Sequence, residues 1–386
     1  VGEVGGDRFG YALAAAGDFD GDGDDDMIVG APGSDKRAQQ AGAAYVIYGG
    51  PGGPSADLAV ATCFTGQVAG DGLGWSVTAA GNFLGGGAQS VAVGAPLNNQ
   101  HGGLDAGAVF VYEGTLGGAS PDTTIDFAAG VSHPNKPGSH YGWVVRGRAR
   151  WDNDGYDDLA VGAPRCNAGA AGAGRVEIIL GDPNPDPTGD AYVDGTTASD
   201  SLGYCIDWVR DLQTGDDDLL IGAPWRDASG ANAGRAYLWL NGGASGNASA
   251  LEQLPVNAPQ PGSEPDDHYG YWVASAGDFD GDGQTDLAIG APTGNGANGV
   301  VAGYVHVLDS TGAVVAAFLG RWETTWTDDG AVRVEFSLNI PGDRIVRLRL
   351  ERRQAGRSTV VWDGPAADAT GVVTVSPQGV TVLDRE

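Results

Sequence analysis

Lysine is all but missing from this chain. Only Lys36 and Lys136 occur among 386 residues, so the 21 bases are nearly all arginine, set against 50 acids for a formal charge of −29. A surface of that sign repels phosphate backbones and anionic lipid, which excludes nucleic acid as a partner. The arginine bias fits either a GC-rich genome or an acidic surface adapted to salt. Long apolar runs are lacking too: no stretch of eighteen apolar residues exists, so no spanning helix and no direct membrane insertion are expected. The first six residues, Val1-Gly-Glu-Val-Gly-Gly6, have neither the basic region nor the apolar stretch of a signal peptide, so the chain reads as soluble and already processed. Cysteine is scarce. Cys63, Cys166 and Cys205 cannot all pair within one chain and show none of the close spacing of a zinc site. A Cys166–Cys205 disulfide and small buried thiols both stand as readings.

Catalytic constellations are absent as well. The five histidines (His101, His133, His140, His268, His306) are scattered, and no phosphate loop or nucleophile with its base stands out. Paired aspartates serve as acids in glycosidases, but those here have a better use as metal ligands. The chain is therefore expected not to be an enzyme, with a secreted hydrolase as the remote alternative.

What the chain has in abundance is repetition. Gly-Ala-Pro begins at Gly30, Gly94, Gly162, Gly222 and Gly290, each time after a short apolar run. Upstream stands a large residue, glycine and an aromatic: Phe9-Gly10-Tyr11, Leu73-Gly74-Trp75, Tyr141-Gly142-Trp143, Leu202-Gly203-Tyr204 and Tyr269-Gly270-Tyr271. The units span about 1–66, 67–131, 132–196, 197–260 and 261–320. Short apolar segments between glycine-rich turns, with no sustained helical period, predict strands. In the first unit these are Tyr11–Ala16, Met27–Ala31, Ala43–Tyr48 and Leu58–Phe64. Four short antiparallel strands per unit describe a propeller blade, and blades must stack radially to cover their two apolar faces. The expected fold is thus all-β, a propeller of five blades, with small residues near the axis and the aromatics wedged between blades. A larger ring completed by the C-terminal segment is the alternative.

The loop between the first two strands of unit one reads Asp18-Phe-Asp-Gly-Asp-Gly-Asp-Asp-Asp26. Carboxylates at positions 1, 3 and 5 (Asp18, Asp20, Asp22), the carbonyl of Asp24 and a further acid at Asp26 can wrap a hard cation that wants six to eight oxygens. Such clustered acids repel one another unless a cation neutralises them. Unit five repeats the pattern with Asp278, Asp280, Asp282, the carbonyl of Gln284, and Asp286. Two Ca2+ sites are expected there. Unit three keeps Asp152, Asp154, the Tyr156 carbonyl and Asp158 but places Arg150 at position 1, where a cationic side chain can replace metal by pairing with those acids; a third Ca2+ site is open. Units two and four have lost the ligands at positions 1, 3 and 5 and are expected to bind no ion.

The linked Phe-Gly, Asp-x-Asp-x-Asp-Gly and Gly-Ala-Pro elements resemble the FG-GAP repeats of integrin α-subunits and their bacterial and archaeal relatives, over about residues 1–320. The resemblance implies calcium loops on one face of a propeller and ligands on the opposite face; integrin propellers have seven blades. On that opposite face the candidate ligand-binding residues are Asn98, Asn99, His101, Arg165, Trp225 and Arg226. An exposed Trp-Arg pair suits a sugar ring or a protein partner.

From Arg321 the texture changes. Residues 1–320 hold 40 acids and 12 bases, and 321–386 hold 10 and 9. Alternating patterns at Ala331–Leu338 and Arg344–Glu351, with shorter ones at Thr359–Trp362, Val372–Val375 and Val380–Leu383, predict a small β-sandwich, weakly similar at Val360–Gly364 to immunoglobulin-like modules. Its basic face (Arg347, Arg349, Arg352) could dock head-to-tail on the acidic propeller of another copy. The functional expectation is an extracellular or cell-surface binding module for adhesion to a protein or glycan. The alternative is a structural subunit of a surface assembly or filament, self-assembling through residues 321–386. Extracellular calcium is what such loops are usually built for. Asn247-Ala-Ser249 is a candidate glycan acceptor.

Overall fold

A computed structural model describes residues 5–51, 53, 61–99, 103–114, 124–127, 137–183, 185, 190–210, 216–227, 231–241, 246–247, 251–254, 265–294, 303–309, 312, 314–319, 323–326, 332–337, 346–354, 357–366, 370–376 and 379–384. Every regular element among them is a strand, so no helix among the described residues is long and apolar enough to cross a membrane.

Five antiparallel sheets follow one another along the chain. The first is β1 (Ala12–Gly17), β2 (Asp26–Ala31), β3 (Ala43–Ile47) and β4 (Thr62–Thr65). The second is β5 (Ser76–Gly81), β6 (Ser90–Ala95), β7 (Ala108–Glu113) and β8 (Thr124–Phe127). The third is β9 (Val144–Ala149), β10 (Asp158–Ala163), β11 (Arg175–Ile179) and β12 (Ala191–Asp194). The fourth is β13 (Cys205–Val209), β14 (Asp218–Ala223), β15 (Arg235–Trp239) and β17 (Glu252–Leu254); the short β16 (Gly246–Asn247) crosses to pair in parallel with β12. The fifth is β18 (Trp272–Gly277), β19 (Asp286–Ala291), β20 (Tyr304–Leu308) and β21 (Val314–Leu319). Within each repeat unit the four antiparallel strands lie in chain order, the topology of a propeller blade. In unit one the first three strands fall within a residue of their expected positions; the start of the fourth, Leu58 to Val60, lies outside the described residues.

The sheets pack face to face because each first strand alternates its side chains between two neighbours. Pairing with the Gly-Ala-Pro strand fixes the register: Ala12, Ser76, Val144, Cys205 and Trp272 each sit opposite that strand's glycine. One residue later, Val77, Val145, Ile206 and Val273 face the preceding sheet and are at most 5% exposed. Burying each such aliphatic side chain stabilises the array by about 1.5–3 kcal/mol.

The glycine of Gly-Ala-Pro is where neighbouring backbones meet. A Cβ on Gly30 would lie 2.0 Å from the carbonyl oxygen of Gly74 in the next sheet. The corresponding distances are 2.1 Å for Gly94 to Gly142, 2.2 Å for Gly162 to Gly203 and 2.0 Å for Gly222 to Gly270. Any side chain would hold the sheets apart, so the motif records a backbone-on-backbone contact.

Closure of five blades into a ring is not what the structure shows. Leu13, the first-sheet counterpart of Val77, is 67% exposed, and Trp272, the fifth-sheet counterpart of Val144, is 64% exposed. The first and fifth sheets therefore leave their outer faces uncovered. The C-terminal strands depart from the blade's chain-order topology. These are β22 (Glu323–Trp326), β23 (Val332–Ser337), β24 (Val346–Gln354), β25 (Arg357–Ala366), β26 (Thr370–Ser376) and β27 (Gly379–Asp384), arranged as β22-β23-β26-β27 with β24-β25 as a separate hairpin. Between one unit's last strand and the next unit's first lie 10 to 17 residues, but only three separate β21 from β22. The strands do fall where the alternating pattern placed them. The side chains of Arg347, Arg349 and Arg352 lie outside what the structure describes.

All three cysteines are unbonded. Cys166 and Cys205 are buried in separate hydrophobic clusters, which decides for small core thiols over a disulfide. His306 is half-buried beside Tyr269 and Tyr304, its Nδ1 enclosed without a hydrogen-bond partner, and burial lowers its pKa to about 4. The neutral ring is what the fold accepts, so its contribution is complete above the unfolded value near 6.5 and is lost as pH falls from there towards 4. Between pH 7 and 4.5 the wild-type protein should lose up to about 3 kcal/mol more stability than His306→Phe, measured by denaturant titration at both pH values.

Candidate metal loops and the opposite face

The loops joining first to second strands share one end of every sheet. In the first, backbone amides fold the carboxylates inward: Gly23 donates to Asp18 at 3.1 Å, Asp22 to Asp20 at 3.2 Å and Asp24 to Asp22 at 2.9 Å. Asp18, Asp20 and Asp22 each offer an oxygen within 4.8 Å of the others'. Asp26, buried, has both oxygens engaged by backbone: Phe19 N–H at 2.8 Å and Gly49 N–H at 2.8 Å. In this structure it braces the loop against the sheet, whereas Asp18, Asp20 and Asp22 form the open cluster.

Loop five repeats the design. Gly283 donates to Asp278 at 3.0 Å, Asp282 to Asp280 at 3.1 Å, Gln284 to Asp282 at 2.8 Å and Phe279 to Asp286 at 2.6 Å. Its cluster is Asp278, Asp280 and Asp286. Two observations fit these clusters to a hard cation. Asp18 Oδ1 and Asp286 Oδ1 are buried with no hydrogen-bond partner, a costly state for a carboxylate oxygen. Burial also pushes the Asp26 and Asp286 carboxyls up, against the pull of the backbone amides, and the nearby Asp20 and Asp280 charges add to it. A divalent ion would answer both the orphaned oxygens and the repulsion.

The other loops differ as their residues demand. Loop two has no carboxylate of its own; Asn82 Oδ1 takes the Gly87 amide at 3.4 Å. In loop three Asp154 donates to Asp152 at 3.2 Å and Tyr156 to Asp154 at 2.8 Å. Asp158, fully buried, is pushed up to about 7 by burial, despite amides from Gly181 and Trp151. Loop three's acids do not form one of the described metal-competent clusters. The expected pairing of Arg150 with them is not made: Arg150 is exposed and has no ion pair among the described residues, and its backbone N–H donates to Asp217 of sheet four at 2.9 Å. In loop four, residues 211–215 lie outside the described ones.

That last bond belongs to a set the sequence reading missed. The residue just before the position-9 acid reaches back to the preceding sheet's loop: Asp217 to the Arg150 amide, and Asp157 to the Asn82 amide at 2.7 Å. The acid-free loop two is thus held by a carboxylate from sheet three. The only sequence signal is an acid at the same repeat position, visible at Asp25, Asp157 and Asp217.

At the other end of the sheets the aromatics after each glycine form one file. Ring centroids are 5.0 Å apart for Tyr11–Trp75, 4.9 Å for Trp75–Trp143, 5.5 Å for Trp143–Tyr204 and 5.0 Å for Tyr204–Tyr271. They pack between sheets as expected, yet none is fully buried. Beside the file, between sheets three and four, lies a cavity of about 720 Å³ lined by His140, Trp143, Arg165, Ser201, Tyr204 and Trp225 among others. Trp225 is half-buried, edge-on to Tyr204 at 4.7 Å. Arg165 is exposed. Burial lowers the His140 pKa, with the Arg165 charge acting the same way, so its ring is neutral near pH 7.

Three candidates on this face serve structure instead. Arg226 pairs with Asp200, itself 3% exposed, and donates to Thr197 Oγ1 at 2.9 Å, so no exposed Trp-Arg pair exists. Asn98 is buried, its carbonyl accepting from Gly107 at 3.0 Å. Asn99 Oδ1 takes the Asp105 amide at 2.7 Å. His101 lies outside the described residues. The partner of Arg226 was legible: Asp7, Asp71, Asp200 and Asp267 all stand three residues before the repeat glycine and are buried.

The FG-GAP repeat family model matches residues 9–47 and 269–308. Integrin alpha-5 of Xenopus laevis is 33% identical over 162 residues, 40% of this chain and 14% of its own length. Integrin alpha-IIb of Mus musculus is 29% identical over 180 residues, 45% of this chain and 16% of its own. Phosphatidylinositol-glycan-specific phospholipase D of Bos taurus is 27% identical over 209 residues, 50% of this chain and 24% of its own. The chain thus matches under a third of each relative's length. One of these relatives bears an enzyme's name, so the repeats occur in enzymes as well as in integrin chains.

The carboxylate reaching back from sheet three gives a direct test. Asp157→Ala should cost about 1–2 kcal/mol by stranding the Asn82 amide. The loss should be the same with calcium and with excess chelator, read by denaturant titration.

Proposed function

Because the chain carries FG-GAP repeats like those of integrin alpha chains, we propose that it is a calcium-stabilised β-propeller module that works outside the cell as a non-catalytic binding or adhesion unit. Residues 1–320 form the propeller part and 321–386 a separate β-rich domain. Calcium sits in loops one and five. Asp18, Asp20, Asp22 and the Asp24 carbonyl hold the first ion with Asp26; Asp278, Asp280, Asp282 and the Gln284 carbonyl hold the second with Asp286. Bound there, the ion neutralises the loop and ties first strand to second. Loop three, with one ligand replaced by Arg150, stays without metal.

The observation that carries the binding role is the aromatic file and its adjoining cavity, at the end of the sheets away from the carboxylates. A concave site of this size, lined by half-buried aromatics together with polar side chains such as Asn167, Ser201 and Asn232, is the usual form of a recognition site. Aromatic rings with one polar edge bind at low entropic cost. The partner is an extracellular protein or glycan, engaged by Trp225 and Trp143 with Arg165 at the rim.

Two measurements test this. Excess chelator should lower the melting temperature by roughly 5–10 °C, and calorimetric titration should find two calcium ions per chain, one after Asp20→Asn. An unchanged melt contradicts the metal role. Wild-type protein and Trp225→Ala should then be compared on secreted-protein fractions and glycan arrays. Capture lost in the variant at an unchanged melt supports the aromatic face, whereas capture untouched by it, or none from either source, contradicts it.

A further inference from the structure

The residue that follows each Gly-Ala-Pro is Gly33, Leu97, Arg165, Trp225 or Thr293. This position varies within an otherwise regular repeat, lies at the end of the sheets away from the carboxylate loops, and is charged only in unit three. Arg165 of unit three and Trp225 of unit four both line the cavity between sheets three and four. Backbone fixes the two units to each other there: Ser199 N–H donates to the Ala171 carbonyl at 2.8 Å and Ser201 N–H to the Gly172 carbonyl at 3.2 Å. The Arg165 N–H is itself tied to the Ser139 carbonyl at 3.3 Å, next to His140 in the turn before sheet three. The cavity of about 720 Å³ is therefore formed before a ligand arrives, at a size common among small-ligand sites.

Its charge is unlike that of the rest of the molecule. The chain holds 50 acids against 21 bases, yet among the described residues no acid lines this cavity. The acids around it are already engaged. Asp200 pairs with Arg226, Asp227 accepts the Asn232 amide at 2.8 Å, and Asp266 accepts from Asn232 Nδ2 at 2.8 Å. Burial and the Arg165 charge keep His140 neutral near pH 7, with Asp105 acting in the opposite sense. Arg165 is thus the one formal charge of the lining. Arg146, Arg175 and Arg226 each have a carboxylate partner, whereas the exposed Arg165 has no ion pair among the described residues.

We propose that this cavity binds a carboxylate-bearing sugar, with Arg165 taking the carboxylate and Trp143, Tyr204 and Trp225 packing on the sugar ring. The inference rests on the reading of the aromatic face as a recognition site and names its ligand. Charge complementarity selects an anion, and the planar guanidinium matches the two oxygens of a carboxylate. The aromatic walls select a ligand with a C–H-rich face, and the Ser199 and Ser201 hydroxyls stand among them for the sugar's own. Backbone argues against a peptide. An extended peptide is held by main-chain hydrogen bonds, but the amides around the cavity are spent within the chain: those of Arg165, Ser199 and Ser201 as above, Gly172 on Asn167 Oδ1 at 2.7 Å and Tyr204 on the Ser201 carbonyl at 3.1 Å. Recognition is left to side chains, which suits a compact polyol. Because the acidic surface elsewhere repels a polyanion, the ligand is one acidic sugar at a chain end or branch and not a run of them.

An array of matched glycan pairs tests this, each glycan presented once with a terminal uronic or sialic acid and once with the neutral sugar in its place, in calcium. The wild-type protein should bind at least one acidic member about tenfold tighter than its neutral counterpart. Arg165→Gln should erase that difference at an unchanged melting temperature, and Trp225→Ala should weaken both members of the pair. Added salt should weaken the acidic member alone. Equal binding within every pair overturns the carboxylate assignment and leaves the aromatic face as a recognition site. So does a preference that survives in Arg165→Gln, as it would if calcium in the acidic loops bridged the carboxylate. If no glycan binds while a secreted protein is captured through Trp225, the ligand is a protein and the sugar is wrong. If nothing from either source depends on Trp225, the recognition site itself falls, and the sugar with it.

Discussion

Everything in the repeat region depends on one contact, a backbone carbonyl seated on a glycine Cα of the neighbouring sheet. At Gly30, Gly94, Gly162 and Gly222 the approach leaves no space for even a methyl group. That closeness brings the faces of successive sheets together, so that Val77, Val145, Ile206 and Val273 find partners and the aromatics after Gly74, Gly142, Gly203 and Gly270 line up at stacking distance. Short four-stranded sheets with two apolar faces are not stable alone. Their stability lies between them, and the glycine decides whether that interface can form.

The acidic loops solve a different problem at the far end of the sheets. Each must turn the chain between first and second strand, and loops one, three and five do so with carboxylates folded onto backbone amides. Asp26, Asp158 and Asp286 are buried as braces, at an electrostatic cost visible in their raised pKa values. Loops one and five keep enough further acids to make a cation the natural remedy. Loop two has dispensed with acids and borrows Asp157 from sheet three. Loop two therefore keeps its turn without acids of its own because a neighbouring sheet supplies the anchor.

Much of this was legible in the sequence because it is periodic. The Gly-Ala-Pro spacing located every second strand, and the Asp-x-Asp-x-Asp-Gly runs located both clusters. What escaped depends on relations between units. Arg150 was expected to turn inward to its own loop's acids, but its backbone is engaged by Asp217 of the next sheet, a contact no single repeat reveals. Arg226 was read as exposed because it follows Trp225, whereas the buried Asp200 in the preceding turn claims it. Ring closure failed for the same reason: counting repeats says how many sheets exist, and only the exposure of Leu13 and Trp272 says that the first and last do not meet.

The proposed calcium in loops one and five and the protein anchor on loop two predict opposite responses to chelation. Hydrogen–deuterium exchange, followed residue by residue with calcium and then with excess chelator, reads this directly. Removal of calcium should raise exchange at residues 18–26 and 278–286 and in the strands they join, and leave residues 82–90 as they were. A uniform change across all the loops, or none in any, would contradict it.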